Sequence, residues 1–211
     1  MSGPAPTGGS GAEPLAMLRS RHAEATRRAV LDAARSLFGR KGYAQTSVEE
    51  IADAARVTKG AVYHHFAGKE ALFRAVHAEV EAEAQARTVE AGNPEQPPID
   101  QIVAMMNAYL DAALDEEIRR ITLIDGPALL GLEPETTPNE QVANVRSFIA
   151  SAIARGQLAD VDPALLTDLV GGLALLGGLQ IARAGDPDAT RAAVGKVLDA
   201  MLRGLAPSQG R

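Results

Sequence analysis

The sequence contains no cysteine and no tryptophan, and only four phenylalanines and three tyrosines stand among its 211 residues. Without cysteine, disulfide bonds, thiolate metal ligands and cysteine nucleophiles are excluded, and the redox compartment is left open. Hydrophobic residues make up 46% of the chain but aromatic residues only 3%. A core must therefore be built mainly from Ala, Leu, Val and Ile, and the length allows one large domain or two modest ones.

The chain also lacks a long uninterrupted apolar run and a signal pattern. The longest apolar run, residues 169–182, is broken by four glycines and Gln180, so we expect no membrane span and a soluble, cytoplasmic protein. Residues 1–13 are rich in Gly, Pro, Ser and Ala and carry no basic segment followed by an apolar one. We interpret residues 1–18 as a disordered N-terminal tail.

Positive charge is scarce overall but concentrated in the first third of the chain. The net charge is −6, which argues against a general polyanion binder. Residues 1–75 nevertheless carry eleven Lys and Arg against seven Asp and Glu, whereas the remainder carries ten against twenty. This asymmetry favours an N-terminal part that meets an anion, although small charges also partition unevenly by chance.

The patterning predicts an all-α protein. Apolar residues recur at helical spacing, and β-branched residues are sparse and do not alternate. Ser47 with Glu50 predicts a capping box, and Thr58 predicts the N-cap of a short helix over residues 59–66. Asp162 and Asp186 each precede a proline, a pattern typical of a helix start. We expect further helices near residues 69–90, 99–114, 117–125, 139–155, 163–184 and 187–205.

Two short helices joined by a tight turn after a longer helix indicate a helix-turn-helix unit. On a helical wheel of residues 59–66, Val62 and Phe66 face inward while Gly60, Ala61 and His64 face the opposite side. A thin outer face suits close approach to a DNA groove, and Lys59, Tyr63 and His64 can reach phosphate or base edges. His65 lies on a flank and is equally well explained as a half-buried helix residue.

A metal or catalytic site is the more specific alternative to DNA binding for this segment. His64 and His65 point about 100° apart on a helix, so they cannot easily share one metal ion. A zinc pair normally stands four residues apart. The sequence also contains no G-x-S-x-G, H-E-x-x-H or paired E-x-x-H motif. We therefore expect no catalytic residue, no metal site and no cofactor, and rank a helical-bundle enzyme below a DNA-binding protein.

The segment "VLDAARSLFGRKGYAQTSVEEIADAARVTKGAVYHHFAGKEALF" resembles the DNA-binding domain of TetR-type bacterial transcriptional regulators, with the likeness running over residues 29–73. The resemblance implies a three-helix DNA-binding domain at residues 19–75 and a helical effector-binding and dimerisation domain at residues 76–211. Carried over by position, it implies DNA contacts from Ser47, Thr58, Lys59, Gly60, Ala61, Tyr63, His64 and Lys69.

Two residues depart from the pattern of that family. Arg56 stands in the turn where the family usually has glycine; if the position needs a positive φ, arginine costs about 1 kcal/mol. Either a phosphate contact from Arg56 offsets this cost, or the turn is built differently; we include Arg56 among the candidate DNA-binding residues. Gly68 stands where the family prefers a side-chain cap, a change worth only a few tenths of a kcal/mol.

The C-terminal part carries an unusual glycine pattern and two helices that the resemblance assigns to a dimer. In "GGLALLGGL" (residues 171–179) four glycines inside a helix each cost about 1 kcal/mol, which close approach of another backbone would explain. The candidate dimer interface comprises Leu165, Leu169, Leu173, Leu176, Gln180, Val194, Val197, Leu198, Met201 and Leu202. Packing within one chain is the alternative, and both hold if they use different faces.

The remaining helices are expected to enclose a small-molecule site. Its candidate lining comprises Met105, Met106, Tyr109, Ile124, Phe148, Ile149 and Ile153, although ordinary core packing explains each of them as well. Because few charges fall in these stripes, an apolar or weakly polar effector is favoured. The interpretation is a homodimeric regulator, by default a repressor, that binds a palindromic operator and is released by a ligand. The alternative is a protein of the same fold that binds DNA without a ligand, in chromosome organisation or with a protein partner.

Overall fold

The computed structural model describes residues 15–131 and 140–206, and every regular element in these ranges is helical. The first four helices are α1 (Leu15–Lys41), α2 (Val48–Ala55), α3 (Lys59–His65) and α4 (Lys69–Glu90). They are followed by α5 (Pro98–Ala112), α6 (Glu116–Ile118), a π-helix (Arg119–Asp125), α7 (Gly126–Leu130), α8 (Glu140–Ala154), α9 (Pro163–Arg183) and α10 (Pro187–Arg203). The all-α prediction is confirmed.

Two hydrophobic clusters correspond to an N-terminal and a C-terminal unit. The first buries the inner faces of α1 to α4 around Phe38 and Phe73, whose rings meet edge to face at 5.3 Å. The second is formed by α5, α8, α9 and α10 around Leu110 and Ile181. Aliphatic side chains dominate both clusters, as the scarcity of aromatic residues predicts.

The region from α6 through the π-helix belongs to both units. Ile118 and Ile121 are buried in the first cluster, while Leu123 is buried in the second. Helix α4 packs on α1 on one side and on α5 on the other. The N-terminal unit is therefore joined to the C-terminal unit by packed helices and not only by the chain connection.

Helix α1 begins at Leu15, so residues 15–18 are helical although the sequence interpretation placed them in the tail. The rest of that predicted tail, residues 1–14, lies outside the described residues. The backbone bonds of residues 15–18 continue the pattern of α1, which is 27 residues long. Helical continuation from a long, well-packed helix explains this extension.

The N-caps predicted from the sequence are confirmed. The Thr58 hydroxyl accepts a bond from the Ala61 N–H at 3.1 Å. The Asp162 and Asp186 carboxylates accept bonds from the Leu165 and Ala189 N–H groups, at 2.8 and 3.0 Å. Each cap satisfies a donor that the first helical turn leaves without a partner.

The segment near residues 117–125 differs from the α-helix that we expected there. After one turn of α6 the backbone widens into a π-helix, and the Gly126 N–H donates to the Ile121 carbonyl, five residues back. A π-helical stretch is rare and is often found at functional sites. Pro127 follows at the first turn of α7, where its missing N–H is tolerated.

Candidate DNA-binding surface and effector cavity

Helix α2 and the turn after it set the position of α3. Ser47 and Glu50 form the predicted capping box: the Glu50 N–H donates to the Ser47 hydroxyl at 3.2 Å, and the Ser47 N–H donates to the Glu50 carboxylate at 3.0 Å. Helix α2 ends at Arg56, which has φ 56° and ψ 41° and is the one non-glycine residue with positive φ in the described ranges. The turn is therefore tight and left-handed, as in a helix-turn-helix unit.

Helix α3 has one anchored face and one open face. Val62 and Phe66 are buried in the first cluster. Lys59, Gly60 and His64 are exposed, and the Tyr63 side chain is 51% exposed. The remaining two candidates, Thr58 and Ala61, sit at the N-terminal end, exposed and half-buried respectively. The predicted recognition residues thus share an accessible surface, which a groove-binding helix requires.

Lys59 has a partner on α2 that competes with DNA. Its ammonium pairs with the Glu49 carboxylate and lies 5.8 Å from the Tyr63 ring centroid. This hydrogen bond raises the pKa of Lys59 and lowers that of Glu49. Because both side chains are more than half exposed, the pair is weak and a DNA phosphate can replace the carboxylate.

Lys69 occupies a different position from the other candidates. Its half-buried ammonium donates to the Tyr43 and Thr46 carbonyls, at 2.9 and 3.0 Å, and stands 4.0 Å from the Tyr43 ring centroid. These contacts fasten the start of α4 to the loop between α1 and α2. The DNA contact that the family resemblance implies for Lys69 stays a prediction, and the observed role is to hold this loop.

Ser47 and His65 also have contacts within the domain. The Ser47 hydroxyl serves the capping box and donates to the Glu50 carboxylate at 3.2 Å. Lys41 pairs with the same carboxylate at 2.5 Å, and together these contacts hold the pKa of Glu50 at about 2. His65 is half-buried and its ring meets that of His64 at 5.2 Å, edge to face. A DNA contact from Ser47 remains a prediction.

A small cavity lies between α4, α5, the α6–π region and α9. Its volume is about 80 Å³, and its lining residues are His77, Glu81, Ala84, Gln85, Tyr109, Ala112, Ala113, Ile118, Thr122, Leu123 and Leu175. Burial, followed by the field of Glu81, raises the pKa of Tyr109 to about 12. The lining is apolar on most of its surface and carries polar groups on α4, α5 and the π-helix.

The predicted effector lining and this cavity overlap at Tyr109. Met106 and Ile149 are buried in the second cluster, and Phe148 and Ile153 pack against it. Met105 would lie 3.2 Å from a Cβ placed on Gly92. Ile124 is 38% exposed. These six side chains lie outside this cavity, and their assignment to an effector site stays a prediction. His77, Glu81 and Gln85 are not among the predicted lining residues because they lie on α4, whereas that prediction rested on apolar residues of later helices.

The candidate dimer residues divide between solvent and core. Leu165, Leu169 and Leu176 on α9, and Val197 and Met201 on α10, are each more than half exposed, and Gln180 is exposed as well. Leu173 and Val194 are half-buried, whereas Leu198 and Leu202 are buried within the chain. Leu198 and Leu202 therefore belong to the core of the chain, and a dimer contact from the exposed residues stays a prediction. The exposed apolar side chains stand four or seven residues apart along α9 and four apart along α10, so each helix carries an apolar stripe of a kind that marks protein interfaces.

The four helical glycines of α9 have different surroundings. A Cβ on Gly177 would lie 3.0 Å from both Leu110 and Val194, and one on Gly178 would lie 3.2 Å from the Tyr109 ring. Close packing of α9 against α5 and α10 within the chain requires these two glycines. A Cβ on Gly171 or Gly172 would meet nothing within 4 Å, so the chain itself gives no reason for that pair.

By length and composition α9 is able to cross a membrane, contrary to the expectation from the broken apolar run. One such helix is weak evidence, because core helices of soluble proteins pass the same test. Helix α9 also packs against α5, α8, α10 and the π-helix. Among the described residues, no group of three His, Asp or Glu is arranged to hold a metal ion.

Comparison with known proteins agrees with this architecture. Residues 30–76 match the family described as bacterial regulatory proteins, tetR family, and residues 99–205 match the tetracyclin repressor-like C-terminal domain. A TetR-family transcriptional regulator from Pectobacterium atrosepticum superimposes with a TM-score of 0.81 and 32% identity, over 90% of this chain and 98% of that one.

Two further proteins share parts of this chain or its fold. The A-factor receptor protein of Streptomyces griseus is 41% identical over 87 residues, 40% of this chain and 30% of the receptor. AibR, solved with isovaleryl coenzyme A and operator DNA, matches with a TM-score of 0.56 and 25% identity over 86% of this chain and 98% of that one. This chain covers 30% and 51% of the length of the first two curated relatives it matches.

Both halves of the chain match TetR-type domains, and a solved regulator of the family aligns along almost the full described fold. The helix-turn-helix geometry of α2 and α3 and the helical C-terminal unit fit that assignment. The chain is a member of the TetR family of bacterial transcriptional regulators.

Proposed function

We propose that this protein is a homodimeric repressor that binds a palindromic operator through α3 and leaves it when a small molecule occupies the C-terminal unit. The observation that carries the DNA-binding part is the open face of α3, on which Lys59, Tyr63 and His64 reach solvent while Val62 and Phe66 hold the helix in place. The surplus of basic residues in residues 1–75 supports the same role. We place the protein in the bacterial cytoplasm, on the nucleoid when bound to DNA.

The apolar stripe on α9 and α10 supports a dimer. A two-fold dimer buries the same surface of each subunit, so Leu169 and Leu176 of one copy would face the same stripe of the other. Gly171 and Gly172 lie at this surface with no neighbour of their own chain nearby. Close approach of the partner backbone would explain why glycine stands there. A dimer also supplies the two recognition helices that a palindromic operator needs.

The region from α6 through the π-helix supports coupling between the cavity and the DNA-binding unit. On one side, Ile118, Thr122 and Leu123 line the cavity. On the other, the Asp125 carboxylate accepts a hydrogen bond from the Tyr43 N–H at 2.7 Å, at the end of α1. A ligand that displaces the cavity wall therefore acts directly on the loop that carries α2 and α3.

A second contact reinforces this coupling. The Arg35 guanidinium on α1 bonds both oxygens of the Glu83 carboxylate on α4, at 2.7 and 2.9 Å, and lies 2.6 Å from the Glu117 carboxylate on α6. These two carboxylates raise the pKa of Arg35. Movement of α6 relative to α4 changes this arrangement, so a ligand can shift the balance between two orientations of α1.

Two related proteins support control of this chain by a small molecule. AibR was solved with both isovaleryl coenzyme A and operator DNA, and the A-factor receptor is named for its ligand. We infer that this chain also responds to an effector. The effectors of those proteins do not identify it, because the residues that line the cavity of this chain decide what it binds.

The experiment is binding of the purified full-length protein to the DNA that flanks its own gene, followed by fluorescence anisotropy in increasing salt and with nonspecific competitor DNA. Competitor-resistant binding with a steep salt dependence is expected. Lys59→Ala should weaken binding, whereas Lys196→Ala on α10 is the matched control for loss of one surface charge. Binding without sequence preference, unchanged by Lys59→Ala, would contradict the proposal and favour the ligand-independent architectural alternative.

The coupling has its own test. Asp125→Ala removes the acceptor of the Tyr43 N–H while leaving the cavity residues in place. We expect the variant to bind operator and ligand, but the ligand should release it from DNA at a concentration at least about tenfold higher. Release at the wild-type concentration would contradict this path. Glu95→Ala, in the exposed loop before α5, is the control.

A further inference from the structure

The cavity described above differs from a purely apolar pocket in the identity of its polar side chains. Glu81 and Gln85 project from α4, Tyr109 from α5 and Thr122 from the π-helix, all toward a space of about 80 Å³. Its other walls are formed by the His77 side chain and by alanine, leucine and isoleucine side chains. The inference below rests on the proposed effector role of this cavity and specifies the chemistry of its ligand.

The formal charge of the lining is unfavourable for anions. Of the eleven described residues around the cavity, none is lysine or arginine, and one, Glu81, is a carboxylate. The His77 imidazole lies 3.5 Å from that carboxylate. Even a protonated His77 would only balance Glu81, so the lining offers a second negative charge no net attraction. A carboxylate, phosphate or acyl-coenzyme A headgroup would meet Glu81 without a cationic partner of its own.

The hydrogen-bonding groups of the lining include two acceptors suited to a donating ligand. The Thr122 hydroxyl donates to the Ile118 carbonyl at 2.7 Å, so it has lone pairs left for a ligand donor. The Glu81 carboxylate accepts the Gln85 amide at 3.3 Å and retains further acceptor capacity. A ligand that donates hydrogen bonds therefore complements this wall.

Tyr109 adds an aromatic face close to the carboxylate. Its phenol is neutral at physiological pH, as an ordinary tyrosine is, and burial followed by the field of Glu81 raises its pKa further, to about 12. A neutral phenol ring presents a π-face that attracts cations within about 6 Å. A carboxylate together with a buried aromatic ring favours an ammonium group over an anion of the same size.

The volume limits the size of the group that enters. A cavity of about 150 Å³ holds benzene, and the volume here is about 80 Å³. The space therefore suits a group of roughly three or four heavy atoms. The alanine side chains at residues 84, 112 and 113 provide a short apolar wall for an alkyl part.

We propose that the cavity binds a small amine or alcohol, in which a short apolar body enters among the alanines and a hydrogen-bond-donating end meets Glu81, and that it discriminates against carboxylates and phosphates. This assignment refines the apolar or weakly polar effector expected from the sequence. It also separates this chain from a regulator of acyl-coenzyme A, because the polar end has the opposite preference for charge.

The test uses three probes that share a three-carbon chain: propylammonium, 1-propanol and propionate. Ligand-observed NMR with the full-length protein, without DNA and at constant ionic strength, gives a Kd for each. We expect propylammonium to bind about tenfold or more tightly than propionate, a ratio worth about 1.4 kcal/mol, with 1-propanol between them. Propionate binding as tightly as propylammonium, or no binding by any probe, would overturn the proposal.

Glu81→Gln identifies the group responsible. This variant keeps the shape of the side chain and removes its charge, so the ratio between propylammonium and propionate should fall below about threefold. Glu90→Gln, on the same helix and outside the cavity lining, should keep the wild-type ratio. A tenfold ratio that survives in Glu81→Gln would overturn the assignment to Glu81. Thermal unfolding of each variant checks that the fold is intact.

The outcomes separate this inference from the proposed function. Operator binding on the same preparations reports on the regulator itself and does not involve the probes. Tight operator binding with preference for propionate would leave the regulator in place and overturn the ligand class. Selective binding of propylammonium without any operator binding would support the ligand class and overturn the proposed regulator.

Discussion

At the scale of single residues, Arg56 combines backbone strain with a proposed contact to DNA. A non-glycine residue in the left-handed region costs about 1 to 2 kcal/mol, and glycine removes most of this cost. Arg56 has φ 56° and is exposed, in the turn that precedes the proposed recognition helix α3. The sequence predicted the turn, and the family pattern with glycine at this position made strain conditional on a positive φ, which the structure shows.

Arg56→Gly should therefore stabilise the protein and weaken its binding to DNA. Relief of strain predicts a gain of about 1 kcal/mol and a rise in Tm of about 2–4 °C. Loss of a phosphate contact predicts weaker binding to all sequences, with a lower salt dependence. Calorimetry and anisotropy measure the two effects separately. In Arg56→Ala, which loses the charge but keeps the strain, only the affinity should fall. Unchanged affinity in both variants would remove Arg56 from the interface.

The partners of Lys69 within the chain could not be predicted from the sequence. Its type and position indicate a phosphate contact, but its ammonium lies between two backbone carbonyls and the Tyr43 ring. That destination depends on where the loop between α1 and α2 lies, which local spacing does not specify. The conformation of Gly68 was likewise not specified by local spacing. Its φ of 132° is disfavoured for other residues, so a residue with a capping side chain would be strained there.

Lys69→Met should destabilise the DNA-binding unit by about 1–3 kcal/mol, because two carbonyls lose a charged donor in a half-buried site. Urea unfolding followed by circular dichroism measures the change. Arg74→Ala, which removes an exposed ion pair with Glu70 on the same helix, should cost less than about 0.5 kcal/mol. Equal effects of the two substitutions would show that the carbonyl contacts contribute little.

At the scale of elements, the capped beginnings of α2, α3, α9 and α10 were predictable, whereas the π-helix was not. An N-cap depends on residues three apart in the chain. Ser47, Thr58 and Asp186 therefore predict the start of their helices from the local sequence alone. The π-helix arises where one segment packs against both hydrophobic clusters at once. No local residue pattern specifies that double packing, and the cavity wall it creates was missed for the same reason.

The capping box of α2 gives a pH-dependent prediction. The hydrogen bond from Lys41, followed by that from the Ser47 N–H, lowers the pKa of Glu50 from 4.5 to about 2. The carboxylate is thus more acidic in the folded state, and its stabilising effect is complete above about pH 4.5. As pH falls from 4.5 toward 2, protonation removes that effect.

Glu50→Gln should lower the urea midpoint at pH 7 and leave it nearer to that of the wild type at pH 2.5. The glutamine keeps an acceptor for the Ser47 N–H but loses the Lys41 ion pair. Unfolding curves recorded between pH 2.5 and 7 measure the convergence, with Glu90→Gln as the control for loss of one surface carboxylate. A constant difference across this range would mean that Glu50 titrates equally in the folded and unfolded chains.

At the scale of the whole molecule, the chain presents an apolar surface that its own packing leaves uncovered. Leu176 is 59% exposed, Val197 is 59% exposed and Met201 is 53% exposed. Burial of such side chains stabilises an assembly by about 25 cal/mol per Å² of apolar surface removed from water. The family resemblance implies that α9 and α10 pair with their copies, but their inward and outward faces could be separated only once α9 had been placed against α5 and α10.

Leu176→Glu should convert the dimer to a monomer. The substitution places a carboxylate on each side of the two-fold interface. Each carboxylate would lose its hydration without gaining a partner, which costs roughly several kcal/mol. Because each monomer holds one half-site, operator affinity should fall by at least about 100-fold. Light scattering and anisotropy measure the two effects. Val89→Glu, at an apolar position on α4 that is 40% exposed, should leave both unchanged. A Leu176→Glu protein that remains dimeric and binds operator normally would place the interface on another surface, and the glycines at residues 171 and 172 would then need a different explanation.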